Sequence, residues 1–415
     1  LESIEELKLL DQACGSGHIL VYGFELLHKI YEEEGYSPSE IPQLIIEKNL
    51  YGLEIDERAA QLAGFALMMK ARSYHRRFFR KEIKPNITCF TDLTLGADEI
   101  TEIFKELHIS LPKSLEEDLD LCRQATNLGS LIQPQTPLET LEAIHDKLTS
   151  AIESSDLFIR SHIQELQRAI SHLISLQKKY HCTVANPPYM GGGKMNAELS
   201  KFVKSKYPIS KADLFSCFIE RSLSFIPQNG LNGLVTMESW MFLSSFEALR
   251  KKIIENTCIQ SLTHFGWHIM RIAFGTVTFI LEKRRPDDKF RGTYSYMEID
   301  NINRETERPI HFPVKDNGRF KIANQKDFEK IPGSLIGYWV SDSFINIFDK
   351  NEQLNKKLDI KQGLATGNND KFIRYYWEIE TNRFKSDLSK YSLPYKWIPY
   401  DKGGGYKTVS YTHLT

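Results

Sequence analysis

The six cysteines of this 415-residue chain, at positions 14, 89, 122, 182, 217 and 258, stand singly. No CxxC pair is available to hold zinc or to build a disulfide framework, so no metal is expected and buried free thiols are the expected state. No apolar run approaches the roughly 20 residues that cross a bilayer. No secretory leader is recognisable either, so a soluble cytoplasmic protein without a membrane partner is expected. An excess of basic charge is also missing. The formal balance is −1, which leaves only local basic patches for any nucleic-acid binding. With 41% hydrophobic residues the chain can bury sizeable cores in two or three domains.

What is present centres on Val184-Ala185-Asn186-Pro187-Pro188-Tyr189, placed after a short strand, Thr183 to Ala185. An amino nitrogen on an aromatic ring shares its lone pair with the ring and is a poor nucleophile. Two hydrogen-bond acceptors can bend it toward tetrahedral geometry. The Asn186 side-chain oxygen and the Pro187 carbonyl suit that task. Each of these residues precedes a proline and is biased toward extended backbone, and neither proline has an N–H to compete for the acceptors. Tyr189 offers a flat face on which an extruded base can stack, worth roughly 1–3 kcal/mol. The competing reading is a proline-stiffened turn with no chemistry.

A strand over Leu7 to Leu10 runs into Asp11-Gln12-Ala13-Cys14-Gly15-Ser16-Gly17, and a helix follows with Ile19, Leu20, Phe24, Leu27 and Ile30 on one face. Strand, glycine turn and helix open a nucleotide-binding α/β unit, in which Gly15 and Gly17 admit close approach of a ligand. The Gly-Lys-Ser/Thr ending of a phosphate loop is absent, and the turn is tighter than the dinucleotide pattern. A plain tight turn is the alternative. The second strand, Leu50 to Leu53, ends in Glu54-Ile55-Asp56, where an acid can grip ribose hydroxyls; Asp56 can instead cap the next helix. A short helix around Ser39 to Lys48 fills the gap between the two strands. The third strand, Asn86 to Phe90, ends at Thr91-Asp92, and that carboxylate can accept from an adenine amino group or serve a turn.

From about 96 to 179 the alternation stops, and amphipathic periods such as Leu141, Ile144, Leu148 and Ile163, Leu166, Ile170, Leu173 predict a helical insertion. Its early acidic residues, Asp98, Glu99, Glu102, Glu106, Glu116, Glu117, Asp118 and Asp120, read as a solvated face. A helix over Asp213 to Phe225 and strands at Gly233–Met237, Ser261–Phe265 and Thr276–Leu281 would complete a seven-stranded sheet.

In this order the segments Asp-x-Ala-Cys-Gly-Ser-Gly, Gly-Leu-Glu-Ile-Asp, Phe-Thr-Asp-Leu, Asn-Pro-Pro-Tyr and Gly-Leu-Val-Thr resemble the amino-group DNA methyltransferases that modify adenine with S-adenosylmethionine. The insertion and Gln362-Gly363-Leu364-Ala365-Thr366-Gly367-Asn368 are similar to the PglX-like branch of BREX phage defence, with Type IIG restriction-modification enzymes as neighbours. The resemblance implies a class I methyltransferase, an α/β Rossmann-like fold. In it Asp11, Ala13, Cys14, Gly15 and Gly17 hold the methionine part of the cofactor, Glu54 its ribose and Asp92 its adenine. It implies that Asn186, Pro187, Pro188 and Tyr189 form the catalytic turn and that Phe274 is a second aromatic against the target base, a core Phe being the alternative. The absence of a Pro-Cys nucleophile disfavours methylation at a cytosine ring carbon and leaves the cytosine amino group open as a target. RNA or protein-glutamine methylation, or a non-catalytic cofactor-sensing subunit, are the other functions considered.

The expected partners are double-stranded DNA and other phage-defence proteins. Two basic stretches can meet phosphates. One lies between Lys70 and Lys84, where a solvated helix end is the alternative. The preferred one is Gly191-Gly192-Gly193-Lys194 with Lys201, Lys204, Lys206 and Lys211, a mobile glycine loop and lysine-rich helix able to close over a flipped nucleotide. The domains are expected at 1–285 (catalytic), 286–358 (linker and small β-containing extension, with helical period from Ser341) and 359–415. The last resembles the start of a target-recognition domain that is C-terminally truncated, with Gly403-Gly404-Gly405-Tyr406-Lys407 family-like and the closing Val409 to Thr415 not.

Overall fold

The computed structural model describes residues 1–80, 82–154, 157–266, 274–303, 305–306, 310–313, 315, 317–352, 356–358, 369–380, 383, 397–402 and 410–414, divided between two compact units, Leu1–Asp349 and Lys350–Thr415. The strands of the first unit are β1 Leu9–Asp11, β2 Leu50–Glu54, β3 Asn86–Cys89, β4 Cys182–Ala185, β5 Leu231–Met237, β6 Cys258–Phe265, β7 Thr276–Glu282, β8 Gly292–Met297 and β9 Lys321–Ala323. They form one sheet in the order β3-β2-β1-β4-β5-β7-β6-β8-β9. Neighbours from β3 across to β5 are parallel, and β7 runs antiparallel between β5 and β6.

The expected seven strands are therefore nine. Residues 286–358, expected as a linker and small β-containing extension, supply β8, which pairs with β6, and β9, which pairs with β8, and the first compact unit runs on to Asp349. The larger strand count has a physical cause: Gly292–Met297 is rich in Ser, Thr and Tyr, yet it buries Tyr294, Ser295 and Met297 and pairs in parallel with β6.

Helix α1, His18–Glu33, buries Leu20, Phe24 and Leu27, the stripe its period predicts. Its N-cap Gly17 has φ 84°, and a Cβ there would stand 2.9 Å from Ala63 Cα, so both backbone conformation and helix approach require glycine. Helix α2, Ile41–Leu44, passes into a π turn at Ile45–Asn49, and α3, Glu57–Tyr74, follows β2. The insertion contains α4 Ala97–Glu106, α5 Lys113–Cys122, α6 Ala125–Leu128, α7 Leu138–Ser154 and α8 Leu157–Gln177. It is no appendage. Ile163, Leu166, Ile170 and Leu173 of α8 share a core with Leu10, Leu53 and Phe90 of the sheet. Among its acidic residues Asp118 is buried, contrary to the solvated-face reading, and accepts from Gln135 N, Thr136 N and the Thr136 hydroxyl.

After β4 come α9 Ala197–Lys206, α10 Leu214–Phe225, α11 Glu247–Asn256 and α12 Asp342–Lys350. The second unit holds β10 Ile373–Tyr375, β11 Ile398–Lys402 and β12 Ser410–Leu414 in an antiparallel sheet ordered β10-β12-β11. The segments Gln362–Asn368 and Gly403–Lys407 lie outside the described residues. Among the described residues no helix is long and apolar enough to cross a membrane.

The sheet order decides where a ligand can sit. From β1 the chain moves outward to β2 and β3, then returns across to β4 on the opposite flank of β1. That reversal opens a crevice at the carboxyl ends of β1 and β4. The glycine turn leaves β1 there, and Asn186 follows β4.

Candidate functional site

A cavity of about 300 Å³ occupies this crevice, at the lower end of the range for small-molecule sites. Ala13 and Glu54 from the ends of β1 and β2 line it, as do Asn186 and Pro188 from the end of β4. Leu53, Ile55 and Phe90 add apolar surface. Turns that sequence spacing could relate only by analogy thus open onto one space.

Glu54 organises the turns. Its Oε2 accepts from Gly15 N at 2.7 Å, and its Oε1 accepts from Ile55 N and Asp56 N at 2.9 and 3.0 Å. The carboxylate therefore clamps the glycine turn of β1 to the end of β2. A carboxylate offers about four acceptor positions, so capacity remains for a ribose hydroxyl. Asp56 has the other task foreseen for it: its Oδ1 accepts from Ala59 N at 3.0 Å and caps α3. Cys14 is buried in the core beneath the turn, where desolvation pushes its thiol above the usual range, and its backbone N donates to Leu53 O at 3.1 Å. Gly15, at φ 52°, has open space where a Cβ would be.

Asp11 lies under the turn rather than on the cavity wall, 1% exposed, with Oδ1 accepting from Ala13 N at 3.1 Å. Burial, reinforced by the nearby Glu54 charge and opposed by the Ala13 hydrogen bond, raises its pKa to about 7. A folded-state value above the unfolded one means that the folded chain binds more protons between about pH 4 and 7, so this group's contribution to stability falls as pH rises through that window. At roughly 1.4 kcal/mol per pKa unit the effect is on the order of 4 kcal/mol. Urea unfolding at pH 5 and pH 8 should show wild type losing more stability on alkalinisation than Asp11→Asn; equal losses would remove Asp11 as the cause.

The residues expected to form the catalytic turn divide by exposure: Asn186 and Pro188 are exposed, Pro187 is buried and Tyr189 is half-buried. The Tyr189 hydroxyl donates to Asn186 Oδ1 at 2.9 Å and lies 3.2 Å from Val235 O. Burial pushes its pKa up to about 12, so it is a neutral donor. The half-buried Phe274 ring stands edge-on to Tyr189, with centroids 5.6 Å apart and planes at 77°, and Phe215 flanks Tyr189 at 6.1 Å. These two expected aromatics do come together.

Other expectations change. Asp92 is absent from the cavity lining, and its oxygens accept from the N–H and hydroxyl of Thr126 in the insertion, both at 2.8 Å. The glycine loop has an anchor within it and one just before it: Gly192 N donates to Ala212 O at 3.0 Å, and Met190 N donates to Asp213 Oδ1 at 2.9 Å. Lys194 is exposed at the end of that loop, and the lysines of α9 are exposed beyond it. In the other basic stretch, Lys70 pairs with Glu25 of α1.

Sequence reasoning missed two contributors. Asn127, Leu128, Gly129, Ser130 and Leu131 of the insertion form one wall of the cavity; nothing in their spacing links them to a glycine turn more than a hundred residues earlier. Gln12, the variable position of the glycine motif, is buried at 1% exposure. Its Nε2 donates to Phe218 O at 3.2 Å and to the Ser222 hydroxyl, and because a carbonyl can only accept, the amide orientation is fixed. Gln12 Oε1 is left as a buried acceptor without a partner in a residue that lines the cavity. An acid with spare acceptor capacity, an orphaned buried acceptor and the apolar surface of Leu53, Ile55 and Phe90 are chemically suited to the ribose, amino-acid and base portions of S-adenosylmethionine, respectively.

A sheet in the order β3-β2-β1-β4-β5-β7-β6 with β7 reversed, carrying a glycine turn after β1 and an acid after β2, is the class I S-adenosylmethionine-dependent methyltransferase fold. Residues 48–269 match the Eco57I restriction-modification methylase family, and the chain belongs to that family. It is 36% identical over 426 residues to the adenine-specific methyltransferase BrxX of Escherichia coli O9:H4 (strain HS), an alignment covering 96% of this chain and 35% of that protein. It is 34% identical over 419 residues to the adenine-specific methyltransferase PglX of Lacticaseibacillus casei (strain Zhang), covering 97% of this chain and 34% of that protein. The Type II restriction enzyme and methyltransferase RM.Eco57I of Escherichia coli is 21% identical over 395 residues, covering 88% and 33%. The chain thus spans about a third of the length of the curated relatives it matches.

Proposed function

We propose that this chain carries the catalytic part of a site-specific DNA adenine methyltransferase acting in phage defence. The observation that carries the reading is the shared cavity: a ribose-type acid, Glu54, and an amino-group acceptor, Asn186, line one space. When bound, S-adenosylmethionine supplies a methyl group attached to a positively charged sulfur. Asn186 Oδ1 and the Pro187 carbonyl accept the two hydrogens of the target amino group and turn its lone pair toward that methyl. The target adenine leaves its stack, which costs a few kcal/mol, and rests against Tyr189, with Phe274 beside it. Exposed Lys194, Lys201, Lys204, Lys206 and Lys211 meet the phosphates on either side of the flipped nucleotide. Residues 359–415 belong, in this reading, to the start of a target-recognition domain, and other phage-defence proteins are partners of the whole protein.

Tritium transfer from labelled cofactor onto duplex DNA, RNA and cell protein tests the proposal. Label in N6-methyladenine of duplex DNA supports it; label only in RNA or protein glutamine, or none in any substrate while cofactor still binds, overturns it. The role of Tyr189 has its own test. Tyr189→Ala should lose roughly 5- to 150-fold in methyl transfer, the worth of one stacked base. Tyr189→Phe keeps the ring and loses only the hydroxyl bond that orients Asn186, so it should lose about 2- to 12-fold. Equal damage from Phe and Ala would give the hydroxyl the main role and end the stacking account.

A further inference from the structure

A second cavity, of about 620 Å³, opens on the edge of the sheet opposite to Asn186. Its place follows from strand direction. β4 and β5 run parallel, with Cys182 against Leu231, and β7 runs back so that Glu282 also lies against Leu231. Gln228, Lys283, Arg284 and Arg285 therefore gather at the amino end of β5, and Asn256 joins them from the turn into β6. Lys252, Lys283, Arg284 and Arg285 line this cavity against one carboxylate, Glu220. The pairs present do not balance that charge. Glu220 is spent on Lys252, with Nζ 2.8 Å from Oε1, and on the Ser210 hydroxyl at 2.7 Å. Arg284 pairs at 3.2 Å with Glu282, which lies outside the lining. Among the described residues neither Lys283 nor Arg285 has a carboxylate partner: Lys283 Nζ donates to Ile226 O at 2.9 Å, and Arg285 is exposed.

Two more cations stand behind the wall at Ser224. Lys179 Nζ donates to Ser224 O at 2.6 Å, and the buried Arg221 donates to the Ser224 hydroxyl. Burial, with the charges of Lys283 and Arg221, holds the Lys179 ammonium below its ordinary range, and no carboxylate offsets them. Ser224 O and Ile226 O belong to the C-terminal end of α10, whose dipole amounts to about half a negative charge. That offsets less than one of these cations. We infer that this cavity binds a compact polyphosphate group, an activity separate from methyl transfer. The planar fork of Arg285 matches phosphate oxygens, Lys283 supplies a point charge, and the amides of Gln228 and Asn256 add neutral donors. No aromatic ring is among the lining residues, so the cavity reads phosphate and not a base. A nucleic-acid backbone carries phosphate too, but a duplex seated over Asn186 meets the carboxyl end of β4, on the other edge of the sheet.

The test titrates the 415-residue chain calorimetrically with inorganic triphosphate at low salt, where one saturable site is expected. Cytidine triphosphate should bind within about threefold of it, because the added nucleoside meets no stacking partner. Arg285→Gln changes an exposed side chain that has no carboxylate partner to lose, and should weaken triphosphate about tenfold, the worth of one charge-assisted hydrogen bond. Adding Lys283→Gln should weaken it further. Arg76→Gln with Arg77→Gln, in the exposed basic stretch after α3, should change the affinity less than about twofold. Thermal unfolding shows that each variant is folded, and triphosphate should raise the midpoint of wild type but not that of the Arg285→Gln, Lys283→Gln double variant. Absence of a saturable site, unchanged affinity in Arg285→Gln, or an equal loss in the Arg76, Arg77 variant would each overturn the inference. Cytidine triphosphate binding more than about tenfold tighter than triphosphate would overturn the phosphate chemistry. Displacement of triphosphate by a duplex of about 20 base pairs would hand the cavity to a nucleic-acid backbone and overturn the free ligand. None of these outcomes bears on the cofactor cavity, whose reading stands or falls with methyl transfer.

Discussion

Replacing Asn186 by Ala is expected to lower methyl transfer by roughly 10²–10³-fold, the usual cost of losing one preorganised polar contact to the reacting group, while S-adenosylmethionine affinity stays within about twofold. The separation follows from where the side chain stands. Asn186 lines the same cavity as Glu54 but enters it from the exposed end of β4 with its Oδ1 directed by the Tyr189 hydroxyl, whereas the glycine turn and Glu54 are bonded to one another at the ends of β1 and β2. Asn186→Asp keeps an acceptor at the same place and should retain more activity than Ala. Single-turnover rates and calorimetry on the same preparations check both halves, and parallel loss of rate and affinity would mean that Asn186 holds the cofactor and not the target amino group.

Glu54→Ala should weaken S-adenosylmethionine by about 10- to 150-fold, corresponding to roughly 1.5–3 kcal/mol for a hydrogen bond to a charged group. The structure adds a sharper expectation for Glu54→Gln. The carboxylate accepts at both oxygens, from Gly15 N on one side and from Ile55 N and Asp56 N on the other. An amide has only one oxygen, so its NH₂ must face an N–H group whichever way it turns. Glutamine should therefore fail to rescue binding despite matching size. Recovery of wild-type affinity in Glu54→Gln would mean that the ribose contact is made elsewhere and that the clamp on the glycine turn is dispensable.

Much of this arrangement was legible in the residues because local pattern and chemistry coincide at strand ends. Apolar runs ending in Asp11, Glu54 and Asn186 marked β1, β2 and β4, and the three- and four-residue spacing of Leu20, Phe24 and Leu27 marked α1. What escaped depends on partners remote in sequence. That Gly292–Met297 joins the main sheet is not visible until β6 is there to pair with it. Asp118 reads as solvated until the turn at Gln135 and Thr136 closes over it. Asp92 reads as a lone loop acid until Thr126 is seen to donate to each of its oxygens. Gln12 carries no local signal, since a buried amide becomes informative only when its surroundings leave an atom unpaired.

The insertion between β3 and β4 also bears on the order in which the molecule assembles. On one side β1 pairs with β2, Leu9 against Leu50, through contacts that close within a single α/β unit. On its other side β1 must wait for β4, Leu9 against Cys182, while Lys8 N donates to His181 Nδ1 across 173 residues. Chain-closure entropy rises slowly with loop length, by only about 0.6 kcal/mol per doubling, but non-local pairing delays folding because that entropy is spent before any contact repays it. The glycine-turn half can therefore acquire protection during synthesis well before Asn186 exists to face it, and the completed crevice becomes a late event in the life of each nascent chain.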